Sequence, residues 1–86
     1  MDRGTEEKEV GTAPSIIQKI VVLSGLDAEA VTHGATLRQD LSLDSLDAIE
    51  LAMDLEATFR IAIDDTEIES AETVQDVITL VERKLQ

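Results

Sequence analysis

The sequence predicts an all-α protein, a four-helix bundle of three longer helices and one short helix with a long first loop. Apolar residues recur at helical spacing in three segments, no segment alternates convincingly between polar and apolar residues, and capping or helix-ending residues flank the segments. The chain has 86 residues, with one Phe and no Trp, Tyr or Cys. A chain of this length forms one domain, and its core must be aliphatic.

The first helix is expected from about Thr12, with Pro14 in its opening turn and Gly25 at its end. Its apolar stripe consists of Ile16, Ile17, Ile20, Val21 and Leu23. Residues 1–12 are polar and show no period, so we predict a mobile N-terminal tail at 1–12 and one folded domain at 13–86.

A long connection, at residues 26–44, separates the first two helices. A short turn is predicted at residues 27–31, and Leu37 and Leu41 are spaced to hold the connection against the core. A loop of this length inside a compact domain usually has a function.

The remaining helices are predicted at residues 45–60, at 64–70 as a short helix or turn, and from Thr73 onward. Thr73 and Asp76 resemble a capping box, with Asp76 in place of the preferred Glu. The apolar stripe of the last helix consists of Val74, Val77, Ile78, Val81 and Leu85.

Ser45 lies where the long loop gives way to the second helix, within the run LSLDSLD at residues 41–47. A serine hydroxyl that is surrounded by carboxylates and has no base to activate it is a poor nucleophile. It is better suited to be modified by another enzyme than to act itself.

The second helix has two apolar stripes. At about 100° per residue, one stripe forms the core face, and the other, on a different side, is bordered by acids. The core face consists of Ala48, Leu51, Ala52, Leu55 and Phe59, and the second stripe consists of Leu46, Ile49 and Met53. We call Asp44, Leu46, Asp47, Ile49, Glu50, Met53 and Glu56 the recognition surface, and predict that it binds partner proteins through apolar anchors and an acidic rim.

Simpler interpretations remain open for part of this surface. Ile49 alone could equally be an ordinary side chain covered by the loop. Asp47 and Glu50 also suit the start of a helix through its dipole, and this does not conflict with a role in recognition.

The formal net charge of −12 excludes several partners. It repels nucleic acids and anionic membranes, and it favours basic protein patches and divalent cations. The absence of Cys removes disulfides and thiolate metal ligands, so no metal site is predicted beyond weak cation binding. Residues 1–10 lack the apolar region of a signal peptide, and no apolar stretch is long enough to span a bilayer, so we expect a cytoplasmic protein. We also expect it to be a monomer.

Residues 44–53, DSLDAIELAM, resemble the DSL motif and the following helix of acyl carrier proteins. The similarity extends from about Ile16 to Leu85. Further matches at family spacing are Ala35, Thr36, Leu37, Asp40 and Leu41 before the motif, and Glu56, Phe59, Ile63, Asp65, Glu67, Thr73, Val74 and Gln75 after it.

The resemblance implies a bundle of acyl-carrier type in which Ser45 carries a 4'-phosphopantetheine arm. A phosphopantetheinyl transferase would attach the arm from coenzyme A through a phosphodiester, and the terminal thiol would hold acyl groups as thioesters. The implied protein is not an enzyme but a carrier for the acyl-transferring and acyl-modifying enzymes of fatty-acid, lipid or polyketide-type synthesis. The residues expected to form the core and the acyl pocket are Leu51, Ala52, Leu55, Phe59, Ile63, Val74 and Ile78.

The sequence departs from the common family pattern in places. SLDSL stands at residues 42–46 in place of the usual GADSL, Asp64 replaces a common proline, and Arg60 puts a positive charge at the end of the second helix. These changes favour a specialised, free-standing carrier. Leu43 is expected to add an apolar contact that partner enzymes recognise.

Two other functions are disfavoured by the residues. A serine hydrolase needs a base, and the one histidine, His33, lies in a glycine-containing loop where we predict an exposed side chain; no Gly-x-Ser-x-Gly motif is present. An EF-hand loop starting at Asp40 would place Ser45 where glycine is required and Leu51 where glutamate is required, so it fails.

Three alternatives to an acyl carrier remain open. D-alanyl and peptidyl carriers share the serine attachment on a similar bundle. The acidic DSLD run with Glu50 favours an acyl over a peptidyl carrier, but composition does not separate acyl from D-alanyl carriers. An acidic adaptor without an arm is the third.

Overall fold

The computed structural model describes residues 11–86, which form four α-helices joined by loops. The helices are α1 (Thr12–Ser24), α2 (Ser45–Phe59), α3 (Asp65–Ser70) and α4 (Val74–Leu85), with a short 3-10 helix at Ala28–Ala30. Within residues 11–86 there is no strand, only an isolated bridge between Thr36 and Thr73. The all-α prediction is confirmed, whereas the predicted tail falls largely on residues outside the described range.

Local sequence explains where the helices end. Gly25 follows α1 with a left-handed φ of 76°, and its N–H donates to the carbonyl of Val21 at 2.9 Å. Arg60 ends α2 in the same region with φ 58°, which is unusual for a residue other than glycine.

Capping boxes begin the later helices. At α4, the Thr73 hydroxyl accepts from the Asp76 N–H at 3.1 Å, and the Asp76 carboxylate accepts from the Thr73 N–H at 3.1 Å, as predicted. The backbone N–H groups of Glu72 and Thr73 lower the pKa of Asp76 below its usual value. At α3, the Glu67 carboxylate accepts from the Asp64 N–H at 2.9 Å, so the residue in the place of the common proline begins this helix.

The core lies between α1, α2 and α4, with α3 packed against α2. Its completely buried side chains include Ile16 and Ile20 of α1, Leu55 of α2 and Ile68 of α3. All residues predicted for the core and acyl pocket are buried except Phe59, which is half-buried near the end of α2. No helix in residues 11–86 is both long and apolar enough to cross a bilayer.

The long first loop is fastened to the start of α4. The Leu37 N–H donates to the carbonyl of Glu72 at 2.9 Å, the Val74 N–H to that of Ala35 at 3.0 Å, and the Gln75 N–H to that of His33 at 2.8 Å. Leu37 and Leu41 are buried, as predicted. The loop therefore has a defined path to the N-terminus of α2.

Candidate functional site

Ser45 is the first residue of α2, and its side chain is exposed. The residues on either side fix the start of the helix. The Asp44 carboxylate accepts from the Asp47 N–H at 3.0 Å, and the Asp47 carboxylate accepts from the Asp44 N–H at 3.1 Å. This reciprocal cap holds the backbone around Ser45 and leaves its hydroxyl accessible.

The same cap favours the ionised form of Asp44. The hydrogen bond from the backbone N–H of Asp47 lowers the pKa of the Asp44 carboxyl below its usual value. Asp44 and Asp47, both predicted to take part in recognition, thus form part of the helix cap as well.

The loop before the serine is anchored by Leu43, which is only 4% exposed. Its N–H donates to the carbonyl of Leu37 at 2.8 Å, and the preceding Ser42 adopts a left-handed φ of 60°. The expectation that partner enzymes recognise Leu43 is wrong, because the side chain packs into the core. The backbone path from left-handed Ser42 to extended Asp44 places this leucine in the core, which residue types alone did not indicate.

Arg38 was missed by the sequence analysis. Its Nη2 atom lies 3.4 Å from the Ser45 Oγ and donates to it. Loop residues have no period that predicts such a contact. The available signal was weaker: Arg38 is the one Lys or Arg residue between Lys19 and Arg60 in an acidic sequence.

The recognition surface is exposed at its apolar anchors. Leu46 is 73% exposed and Met53 is 61% exposed, while Ile49 between them is half-buried. Glu50 is exposed, and the neighbouring Asp54 forms an ion pair of 3.2 Å with Lys19 of α1. The structure thus brings together two exposed apolar side chains and acids on one side of α2.

Glu56 differs from the other acids of the recognition surface in the contact that its side chain makes. It is half-buried, and its Oε2 atom accepts from the backbone N–H of Ile63 at 2.8 Å. The side chain therefore holds the loop between α2 and α3. Helix spacing places Glu56 near the second apolar stripe, but it does not reveal this long-range contact.

A narrow cleft of about 20 Å³ opens beside the attachment region, against α2 and α3. One water needs roughly 10–15 Å³ by this measure, so the cleft has room for about one water and an acyl chain fits only if the helices move apart. Of the residues predicted for the acyl pocket, only Leu51 lines this cleft. The lining residues are Leu37, Arg38, Leu43, Asp44, Ala48, Leu51, Ile68, Glu69 and Ala71.

His33 is exposed in the long loop, as predicted. Its Nδ1 atom lies 2.9 Å from the Oε1 atom of Gln75 in α4. The histidine therefore interacts with the helix to which the loop is fastened, rather than with Ser45.

Comparison with known proteins decides the family. A family model for the phosphopantetheine attachment site matches residues 14–81. An acyl carrier protein of Phytoplasma australiense is 40% identical over 74 residues, which are 81% of this chain and 97% of that protein. The chain belongs to the acyl carrier protein family. The carrier is also 43% identical over 61 residues to an acyl carrier protein of Thermotoga maritima, covering 71% of this chain and 75% of the relative.

The fold of the carrier agrees with this family. The crystal structure of an acyl carrier protein from Thermotoga maritima matches with a TM-score of 0.71 at 29% identity. The match covers 99% of this chain and 95% of that chain. The predicted bundle of acyl-carrier type is therefore confirmed, and the protein is a carrier of acyl groups on a covalently attached 4'-phosphopantetheine.

The surroundings of Ser45 fit this prosthetic group. A phosphate ester at the first residue of a helix is favoured by the helix dipole and the free backbone N–H groups. The guanidinium of Arg38, 3.4 Å from the Ser45 Oγ, supplies further donors for a phosphodiester. The nearby carboxylates of Asp44 and Asp47 are occupied by backbone N–H groups of the cap. The arm's terminal thiol supplies the thioester chemistry in a chain that has no cysteine.

Proposed function

We propose that Ser45 is the residue that carries the 4'-phosphopantetheine arm. The observation that supports this most directly is the exposed hydroxyl at the first residue of α2, capped by Asp44 and Asp47 within the DSL motif. During loading, Ser45 Oγ would form a bond to the phosphorus of coenzyme A that bears the pantetheine. The bond from that phosphorus to the nucleotide breaks, adenosine 3',5'-bisphosphate leaves, and the hydroxyl proton passes to the transferase.

In this proposal the carrier does not catalyse its own loading or any other reaction. Within residues 11–86, the side chain that hydrogen-bonds to the Ser45 hydroxyl is that of Arg38. A guanidinium stays protonated, so it cannot act as the base that activates a serine. His33, the one imidazole of the chain, is engaged with Gln75. Ser45 is thus acted upon by a phosphopantetheinyl transferase.

Partner enzymes are proposed to bind the recognition surface. Leu46 and Met53 offer exposed apolar anchors next to Glu50, and the acidic surroundings favour basic patches on the partner. Asp44, Asp47 and Glu56 would add negative charge while their hydrogen bonds hold the backbone, and Ile49 would support the anchors from its half-buried position.

The acyl chain is proposed to enter through the cleft beside Ser45, where α2 and α3 pack together. The cleft is lined mainly by aliphatic side chains, and charged groups lie at its edge. Its volume of about 20 Å³ means that α2 and α3 must separate as the chain enters. Buried residues of the same core, including Leu55, Ile63, Val74 and Ile78, would then contact the guest.

Loading with coenzyme A and a promiscuous phosphopantetheinyl transferase tests the attachment residue. We expect intact-mass spectrometry to show a gain of one phosphopantetheine for the wild type and no gain for Ser45→Ala. Ser42→Gly is the matched control, because it removes the nearest loop hydroxyl and glycine accepts the left-handed φ of 60° at this position. A gain by Ser45→Ala, or no gain by the wild type with several transferases, would contradict the assignment.

A second experiment tests the recognition surface. We expect Met53→Ala to lower kcat/KM of the transferase for the carrier, because an exposed anchor is lost without a change in the core. Leu85→Ala is the control, since Leu85 is also an exposed apolar residue but lies at the end of α4. Equal effects of the two substitutions would contradict a specific role of Met53.

The pathway and the cellular setting remain proposals. We propose fatty-acid, lipid or polyketide-type synthesis in the cytoplasm, with a monomeric carrier. Intact-mass analysis of protein isolated from its native cells would identify the acyl group, and cell fractionation with sedimentation analysis would test the location and the oligomeric state.

A further inference from the structure

Arg38 is held in place by its backbone. Arg38 lies in a turn closed by two hydrogen bonds between Thr36 and Asp40: the Asp40 carboxylate accepts from the Thr36 N–H at 2.8 Å, and the Thr36 hydroxyl accepts from the Asp40 N–H at 3.0 Å. The carbonyl of Arg38 accepts from the Ser42 N–H at 3.1 Å. Buried Leu37 anchors the same turn in the core. The backbone from which the exposed Arg38 side chain extends is therefore held in a fixed position near Ser45.

The carboxylates closest to Arg38 in sequence are engaged elsewhere. Asp40 binds the N–H of Thr36, and Asp44 binds that of Asp47. Within residues 11–86, the side-chain ion pairs join Lys19 to Asp54 and Lys84 to Glu67, and neither includes Arg38. In this part of the chain, the Ser45 hydroxyl is the hydrogen-bond partner of the Arg38 side chain. A neutral hydroxyl is a weak partner for a cation in a chain with a net charge of −12.

We propose that Arg38 is a positioning residue that binds the phosphodiester of the loaded arm. The inference rests on the proposed attachment at Ser45. On loading, the Ser45 Oγ becomes an ester oxygen bonded to phosphorus, and the two non-bridging oxygens on that phosphorus share one negative charge. The guanidinium, already 3.4 Å from Oγ, is well placed to donate to them, and its planar array of N–H groups suits a phosphate.

The contact between Arg38 and the phosphodiester orients the start of the arm. Arg38 lines the cleft that also contains Leu43 and Leu51, and it lines an adjoining surface groove that contains Gln39 and Glu72. A phosphate bound by Arg38 therefore lies at the border of these two surfaces. The arm is then kept near the mouth of the cleft instead of sweeping freely through solvent.

The test uses the loaded full-length carrier and phosphorus NMR of its phosphodiester. Wild type, Arg38→Gln, Arg38→Lys and the control Arg60→Gln are loaded to completion, as verified by intact mass. Arg60→Gln removes the same charge at the far end of α2. An exposed ion pair changes the ratio of bound to free phosphate about 1.4- to fivefold.

We expect the phosphorus resonance of Arg38→Gln to differ from that of the wild type at low salt. Raising the ionic strength to about 1 M, where the Debye length is about 3 Å, should move the wild-type resonance toward that of Arg38→Gln. The resonance of Arg38→Gln itself should respond less. Arg60→Gln should follow the wild type, and Arg38→Lys should restore part of the salt response because it keeps the charge but loses the planar array.

The outcomes separate this inference from the proposed function. If the wild type gains no arm, the attachment at Ser45 fails and the inference falls with it. If every variant gains the arm but Arg38→Gln keeps the wild-type resonance and salt response, the inference is overturned and the attachment stands. Equal shifts in Arg38→Gln and Arg60→Gln would show a general charge effect and also overturn it. If Arg38 had a purely structural role, its replacement would lower Tm, and the phosphorus resonance of Arg38→Lys would show no salt response. This result would also overturn the inference.

Discussion

Leu43 and Leu46 are chemically identical residues on opposite sides of Ser45, and they allow a sharp test of the site's architecture. Leu43 is 4% exposed, so Leu43→Ala removes buried methyl groups and leaves a cavity that costs about 2–4 kcal/mol. Leu46 is 73% exposed, so its burial contributes only about a quarter of the roughly 1.5–3 kcal/mol that a completely buried leucine side chain contributes to stability. Leu46→Ala should therefore cost roughly 0.4–0.8 kcal/mol.

Urea unfolding followed by circular dichroism at fixed ionic strength measures both changes. For a domain of this size, the loss in Leu43→Ala corresponds to a fall in Tm of roughly 8–30 °C. In the loading reaction, measured at temperatures where both variants are folded, Leu46→Ala should have the larger effect and Leu43→Ala the smaller. Leu46→Ala should lower kcat/KM for the transferase, because it removes an exposed anchor, whereas the folded fraction of Leu43→Ala should keep its anchors.

Two results would refute this reasoning. Equal losses of stability would mean that Leu43 is not a core residue of the folded carrier. A large loss of stability in Leu46→Ala would mean that this side chain packs against the bundle and is not available to partners.

Three further predictions follow from the hydrogen bonds and the charge. Glu56→Ala should cost about 1–2 kcal/mol, because it leaves the Ile63 N–H without its acceptor, whereas the exposed Glu50→Ala should stay within about 0.5 kcal/mol; urea unfolding compares them, and equal values would contradict the role of Glu56. The lowered pKa of Asp76 contributes stability above its unfolded-state pKa of about 4, and this contribution is lost as pH falls through the lower folded-state pKa. The difference in urea midpoint between wild type and Asp76→Asn should therefore narrow from about pH 6 to about pH 3, and a constant difference would oppose the assignment. Tm should rise with added salt or Mg²⁺, because the net charge of −12 repels itself; a Tm independent of both would contradict this expectation.

Sequence periodicity predicted the helices because each helix carries its own local signals. Gly25 ends α1, and the box of Thr73 and Asp76 begins α4, as expected from residue types at fixed spacing. The fastening of the first loop was not predictable in the same way. It depends on hydrogen bonds from backbone groups, such as Leu37 N–H to Glu72 carbonyl, and backbone groups have no sequence signature.

At the candidate site, the helical wheel separated the fully buried from the most exposed positions of α2, whereas Ala48, Ile49 and Phe59 are half-buried. Leu51, Ala52 and Leu55 are buried, and Leu46 and Met53 are exposed. The failures concern residues whose partners lie outside the helix. Glu56 binds the N–H of a residue seven positions later, and Arg38 reaches Ser45 from a loop seven positions earlier. In both cases the chain between the two residues includes a loop, so helical spacing did not apply and patterning had no means of finding these contacts.

The misjudged Leu43 explains how a serine can be both fixed and accessible. At Asp44 the backbone is extended, with φ −104° and ψ −170°, and the preceding Leu43 is buried in the core. From Ser45 onward the backbone is helical, and its side chains follow a period of about 3.6 residues. The change from loop to helix at Asp44 allows Leu43 to anchor the loop while Leu46, three residues later, stays in solvent. Ser45 lies between them on a capped backbone, so its hydroxyl is fixed relative to the bundle without being buried. A glycine or alanine in place of Leu43 would leave the serine exposed but would remove the anchor that fixes its position.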